Sequence, residues 1–331
     1  MATTTDTAIP MAGSPRTSAL ALSPCNLCPR LCGADRAAGE RGVCGADDRI
    51  VVARAALHFW EEPVLSGERG SGAVFFAHCP VRCVYCQNSV IAAGEAGAPI
   101  TVGRLADICR ELEAKGALNV NFVTPTHYSL QVREAVRLAR EQGLGLPVVW
   151  NTSGYERVET VRALAGTVDV YLDDFKYVDA DLARRYSHAA DYPDVALAAL
   201  DEMVAQVDEP AFDEVDGAAR MTRGVIVRHL LLPGAFAQSC EALRLLYGRY
   251  GDAVLYSVMN QYTPVIADGP AADRFPELCT CVPDEEYEAL LDFADALGME
   301  DYFWQEGPAA LDSFIPAWDL EGVAESEHGL E

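Results

Sequence analysis

The sequence predicts an α/β fold built on parallel strands. Three observations carry this. Short apolar runs alternate with segments whose apolar residues recur at helical spacing, and such alternation implies parallel strands joined by right-handed crossovers. The chain has 331 residues, half of them hydrophobic, enough for one large barrel-like domain with a sizeable core. Polar residues collect at the carboxyl edge of strand after strand, where ligands sit in such folds.

The elements follow in order. Residues 1–24 are rich in Thr, Ala, Ser and Pro and read as a disordered lead-in, without the basic region of a signal peptide. Residues 25–70 form a Cys-rich extension. Within it, residues 50–59 have strand composition, Trp60-Glu61-Glu62-Pro63 ends that strand, and Gly67, Gly70 and Gly72 mark a turn. Residues 71–318 are the barrel. Phe75 and Phe76 lie in an apolar run that reads as a buried strand. Residues 102–114 place Leu105, Ile108 and Leu112 on one helical face, and residues 130–140 do so with Val132, Val136 and Ala139. Strands are expected over 120–123, 147–150, 168–172, 224–232 and 254–258, with a further short one over 302–305. Helices are expected over 158–164, 179–206 (broken near Tyr192-Pro193), 240–250 and 284–297. Residues 206–223 are polar and acidic around Gly217 and read as a surface loop. The acidic end, 319–331, reads as a solvated tail.

Charge narrows the function. Fifty acidic residues against 25 basic give a formal charge of −25, which argues against a nucleic-acid or anionic-membrane partner. No run of about eighteen apolar residues suggests a membrane span. An acidic electron donor would need a local basic patch, and Arg41, Arg49, Arg54 and Arg82 could form one. Of 11 cysteines, an odd number, seven fall in two tight clusters. That pattern points to metal and a reducing, cytoplasmic setting rather than a disulfide scaffold.

The chemistry centres on Cys79, Cys83 and Cys86, spaced Cys-x3-Cys-x2-Cys in a loop after the Phe75–Phe76 run. Three thiolates from one short loop can grip three corners of a cubane iron–sulfur cluster and leave one iron open, whereas an ordinary four-iron cluster wants four Cys. A zinc knuckle wants four closed ligands, and His78, directly beside Cys79, is awkwardly placed to be the fourth. Cys25, Cys28, Cys32 and Cys44 supply a second set, with Gly39 and Gly42 to turn the chain. Zinc and a second four-iron cluster both accept four thiolates, and a free-thiol loop is the remaining reading. Cys109 and Cys240 fall on helices and read as small apolar groups, while Cys279 and Cys281 lie in a loop.

The strand-end residues assemble the rest: Thr124-Pro125-Thr126-His127, Asn151-Thr152-Ser153-Gly154-Tyr155, Asp173-Asp174 with Lys176, Arg228-His229 and Met259-Asn260-Gln261-Tyr262. Together with the cysteine loop, its aromatic Tyr85 before the last Cys, and the segment His58-Phe59-Trp60-Glu61-Glu62-Pro63, they resemble the pyruvate formate-lyase activating enzyme family of radical S-adenosylmethionine (SAM) proteins. The likeness is to relatives with an N-terminal cysteine cluster and spans residues 25–316. It implies a partial (β/α)6 radical SAM barrel, cytoplasmic and oxygen-sensitive.

The resemblance also implies roles. Cys79, Cys83 and Cys86 would bind a [4Fe-4S] cluster whose open iron takes SAM. Tyr85 would lie near the adenine. Thr124 and Thr126 occupy the turn where the superfamily carries a Gly-Gly-Glu motif, from which this chain departs. Asn151 and Ser153 would hold methionine or ribose groups, and Asp174, Lys176 and Arg228 match charged positions near the methionine end. Arg228 suits a carboxylate because its planar fork binds bidentately, whereas Asp174 with Lys176 also reads as an ion pair at the barrel edge. His127 and His229 read as hydrogen-bonding residues rather than catalytic ones. The implied activity is reductive cleavage of SAM to a 5′-deoxyadenosyl radical, with a flavodoxin- or ferredoxin-like electron donor and a glycyl radical enzyme as partner. The alternatives are radical modification of another peptide or a small molecule, and a non-catalytic iron–sulfur or zinc protein.

Overall fold

The computed structural model describes residues 19–305 and 315–324. β1 (Ile50–His58) and β2 (Ser71–Phe76) pair antiparallel, and β3 (Ala98–Ile100) lies on the outer edge of β1. From β2 the sheet continues in parallel through β4 (Val120–Val123), β5 (Val148–Thr152) and β6 (Val170–Asp174). The hairpin strand β7 (Ala211–Val215) flanks the long β8 (Ala218–Leu230), which pairs parallel with β6 on one side and β9 (Leu255–Met259) on the other. β10 (Tyr302–Phe303) ends the sheet beside β9. The order β10-β9-β8-β6-β5-β4-β2-β1-β3 leaves two free edges, so the sheet is an open, partial barrel.

Helices α1 (Pro63–Ser66) and α2 (Ser89–Ala93) are short. The crossovers are α3 (Val102–Ala114), α4 (Ser129–Glu141), α5 (Val158–Ala163), α6 (Ala180–Ser187), α7 (Tyr192–Val207), α8 (Phe236–Tyr250) and α9 (Asp284–Ala296). Their apolar faces pack with outward-facing strand residues such as Trp150 and Tyr171 into the main core. The alternate strand residues Val149, Val170, Leu172 and Ile226 form a second, inner cluster with Leu65 of α1, as the two-residue period of a strand requires. α1 thus plugs the inside of the sheet. It enters from the amino-terminal edge, because His58 at the end of β1 lies opposite Ser71 at the start of β2. Among the described residues no helix is long and apolar enough to cross a membrane.

Three expectations change. Residues 206–223 are not a loop: β7 and the start of β8 form a hairpin whose two-residue turn is Asp216-Gly217, both at positive φ (54° and 80°). Asp-Gly is the pairing that a tight hairpin turn favours. The tail is docked at its start. Leu320 N donates to Ala53 O and Ala55 N to Glu321 O, Val323 is buried, and the Arg104 guanidinium holds the carbonyls of Gly322, Val323 and Ala324. The basic patch is largely neutralised: Arg54 pairs with Asp319 and Glu321, Arg49 with Asp47, and Arg82 turns inward to Cys44 O at 2.8 Å. The lead-in falls mostly outside the described residues, but its end is tied down by a Leu22–Cys25 bridge.

Candidate active site

The carboxyl ends of the parallel strands open onto a cavity of about 290 Å³. Cys79, Cys83 and Cys86 line it, and so do Tyr85, Thr124, Asn151, Ser153, Asp174, Lys176 and Arg228. Ten of the eleven residues expected there from sequence therefore share one space. Thr126 does not: it is fully buried, and its hydroxyl donates to Glu156 Oε1 at 2.7 Å. That carboxylate also accepts from Trp150 Nε1 and Thr152 Oγ1, so the turn after β4 faces the core with Thr126 and the cavity with Thr124.

The cysteine loop is shaped by backbone that few side chains tolerate. His78 and Arg82 sit at positive φ (73° and 55°), which folds the loop back on itself. The Val81 amide lies 3.4 Å from Cys79 Sγ, and Ser187 Oγ donates to Cys83 Sγ at 3.0 Å. Burial pushes the Cys79 thiol up to about 11 and the Cys86 thiol up to about 12, so a metal bound here would have to displace their protons. Tyr85 is held edge-on between Tyr186 and Tyr262 and accepts from Tyr177 Oη at 2.7 Å.

A buried charged layer forms the floor. Arg228 Nε donates to Asp174 Oδ1 at 2.7 Å, Nη1 to Glu61 Oε2 at 3.0 Å, and Nη2 to Asn151 Oδ1 at 2.8 Å. Lys176 Nζ donates to Asp174 Oδ2 at 2.7 Å. Asn121 and Asn151 both donate to Glu61 Oε1 at 3.1 Å. Burial alone would raise Asp174, but Arg228 and Lys176 together hold it below the usual carboxylate range. Glu62 sits beside this layer, and its burial, against the pull of Arg228, pushes it up. The Arg228 fork is thus occupied by protein groups, and the expected Asp174–Lys176 ion pair is present.

Glu61 and Glu62 were not expected in the site. They line the cavity with His58 and Trp60 because the segment between β1 and α1 enters the inside of the sheet from its amino-terminal edge. His127 and His229 do not line it. His127 Nε2 lies 2.9 Å from Ala77 O and His229 Nδ1 lies 2.7 Å from Phe175 O, and burial lowers both rings, to about 3 and about 4, so they are neutral. Cys109 and Cys240 are buried on α3 and α8, as apolar groups would be.

The residues fit the group that the cysteine spacing suggests. Beside the three thiols, Ser153 Oγ, Asn88 Oδ1 and Glu62 Oε2 are buried polar atoms without a partner among the described residues, and all three side chains line the cavity. Such atoms cost free energy unless a ligand meets them. Among the described residues no three His, Cys, Asp or Glu side chains are grouped to hold a single metal ion.

An uncharacterized protein of Methanocaldococcus jannaschii is 27% identical over 285 residues, 83% of this chain and 75% of its own. Crystal structures of SuiB from Streptococcus suis, bound to precursor peptide SuiA and bound to S-adenosylmethionine, superpose with TM-scores of 0.48 and 0.44 at 14% identity. Each covers 69% of this chain and 46% or 45% of the SuiB chain, so this chain spans less than half of SuiB's length. The Radical SAM superfamily model matches residues 74–210, which begin in β2 and take in the cysteine loop and β4–β6. The match covers less than half of the chain, and it is this stretch that is similar to the Radical SAM superfamily.

Proposed function

We propose that this chain is a radical SAM enzyme whose substrate is a polypeptide, with a glycyl radical enzyme as the partner it activates. One observation carries the first part. Three cysteines of one loop share a cavity with a buried charged layer and three unpartnered polar atoms. Cys79, Cys83 and Cys86 would hold a [4Fe-4S] cluster, and Ser153, Lys176 and Tyr85 would hold SAM above the floor that Asn151, Asp174 and Arg228 build; together the two groups supply a 5′-deoxyadenosyl radical on reduction.

The chain's own residues then bind, orient and exclude water. Arg228 spans β6, β5 and the Glu61 segment with three donors, so it fixes the relative positions of Asp174, Asn151 and Glu61. Tyr85 is fixed by its bond with Tyr177, leaving little freedom beside Cys86. Burial keeps competing water from the floor. No side-chain acid or base is required.

The polypeptide reading rests on the cavity mouth. Trp60 (60% exposed) and Trp304 (52% exposed) both line the cavity, and exposed aromatics beside a site suit a chain segment that must be held in place. Anaerobic reconstitution followed by electron paramagnetic resonance with and without SAM tests the chemistry: a spectrum altered by SAM is expected, and an unchanged one at saturating SAM overturns the enzyme reading. A large enzyme with an exposed glycine loop that co-purifies and gains a glycyl radical would support the partner. Modification of only small molecules would overturn it.

A further inference from the structure

We propose that Cys25, Cys28, Cys32 and Cys44 form a second, coordinatively closed metal–thiolate centre, separate from the Cys79–Cys83–Cys86 loop, that takes either a zinc ion or a four-iron cluster. Residues 19–49 contain little regular structure beyond the Leu22–Cys25 bridge and the single turn Arg36–Ala38. They bury few apolar side chains, chiefly Leu27, Ala34 and Ala46, yet Cys25, Cys28 and Cys44 are buried and all four thiols are free. An irregular segment with so small a core needs another source of folding energy, and a bound metal is a common one.

The local backbone is arranged as at the first site. Arg30, Ala34 and Ala46, each two positions on, bring a backbone N–H towards Cys28, Cys32 and Cys44. Val81 stands in the same relation to Cys79. Two of these turns are the same tripeptide, Cys32-Gly33-Ala34 and Cys44-Gly45-Ala46, and each glycine is at positive φ (67° and 92°). Gly42 brings the sulfurs of Cys32 and Cys44 together: a Cβ there would lie 3.2 Å from one and 3.5 Å from the other. No three of the sulfurs stand at single-ion spacing, so zinc would draw them inward, whereas a four-iron cluster holds its cysteines further apart.

Arg36 supplies an independent argument. Its side chain is fully buried and makes no ion pair with a carboxylate among the described residues. Its donors reach His127 O at 2.6 Å, Asp47 O at 2.7 and 2.9 Å, and Cys25 Sγ at 3.8 Å. A buried guanidinium needs a counter-charge. Four thiolates around a zinc ion or a four-iron cluster carry a net charge of about −2 and place it at Cys25. The centre also braces the first site: Arg82 Nη2 donates to Cys44 O at 2.8 Å, and Arg30 donates to Pro80 O at 2.9 Å and Ser187 O at 3.0 Å.

The test separates this centre from the proposed enzyme site. The full chain carrying Cys79→Ala, Cys83→Ala and Cys86→Ala is purified anaerobically, reconstituted, and assayed for iron, sulfide and zinc. Retention of about one zinc or of about four irons per chain is expected, either of which supports the centre and identifies its metal. Adding Cys32→Ser, the least buried of the four ligands, should remove at least about nine-tenths of that metal with the far-ultraviolet circular dichroism preserved. A folded triple variant that binds no metal overturns the proposal, as does retention of the same metal after Cys32→Ser and Cys44→Ser together.

Discussion

Asp174 and Arg228 stand opposite each other in the β6–β8 ladder, and their side chains pair at 2.7 Å on the cavity floor. Lys176 holds the second oxygen of Asp174, so one carboxylate shares in balancing two buried cations, with Glu61 the other partner of Arg228. Asp174→Asn removes that balance. The cofactor-free protein should lose about 3 kcal/mol of unfolding free energy, as when one partner of a buried pair is deleted. The sign with pH follows from the lowered Asp174. Its contribution is present above the ordinary carboxylate value near 3.8 and is lost as pH falls through the depressed folded value. Urea titrations should therefore show the deficit of Asp174→Asn shrinking below pH 4. A variant as stable as the parent at pH 7 would mean that these charges are solvated.

This layer shows how far sequence reasoning reached. Asp174, Lys176, Arg228 and Asn151 were legible because they follow or end parallel strands, where side chains converge. Glu61 and Glu62 were not, although the segment holding them was noticed. They follow β1, which runs antiparallel, so they leave the sheet at the edge away from the site and return inside it in the segment that leads into α1. Thr126 misled for the converse reason: it sits in a strand-end turn but points at Glu156. The hairpin of β7 and β8 hid because it is largely exposed and carries no apolar alternation, leaving Asp216-Gly217 as its sign. The docked tail was illegible because it is held mainly through its carbonyl groups, which leave no side-chain pattern.

That docking makes Gly322 a sensitive position. It sits at φ 70°, and a Cβ there would collide with Ala55 O. Gly322→Ala should release the strap, since both the backbone conformation and the close approach exclude a side chain. Hydrogen exchange at the Ala55 amide, which donates to Glu321 O, should speed by more than about tenfold while amides of β5 stay protected. Unchanged protection at Ala55 would show the strap to be incidental.

Glu156 gives a pH prediction of opposite sign. Its burial raises it, outweighing the hydrogen bonds from Thr126, Thr152 and Trp150, and Oε2 has no partner among the described residues. The folded state therefore binds a proton more tightly than the unfolded chain, and stability falls as pH rises from the ordinary glutamate value through the raised one. Glu156→Gln keeps an oxygen for the three donors and cannot ionise. It should gain stability relative to the parent at pH 8 compared with pH 5. Denaturant midpoints at the two pH values measure this, and a difference that does not change with pH would count against a protonated Glu156.

The cofactor assignment can be tested by a pair of small changes. Ser153 Oγ is buried, without a partner among the described residues, in a side chain that lines the cavity, whereas Thr126 Oγ1 is committed to Glu156. Ser153→Ala removes an unpaired hydroxyl, so the free protein should lose little stability. If that hydroxyl meets SAM, the variant should bind SAM roughly five- to tenfold more weakly, the worth of one hydrogen bond. Thr126→Val keeps the shape and strips a donor from a buried carboxylate. It should cost about 1–3 kcal/mol of stability and leave SAM affinity within about twofold. Calorimetric titration of SAM into the cluster-loaded proteins, beside urea unfolding of each, separates the two. Should Thr126→Val weaken SAM binding as much as Ser153→Ala, the turn after β4 reaches the cofactor after all, and its threonines belong together in the site.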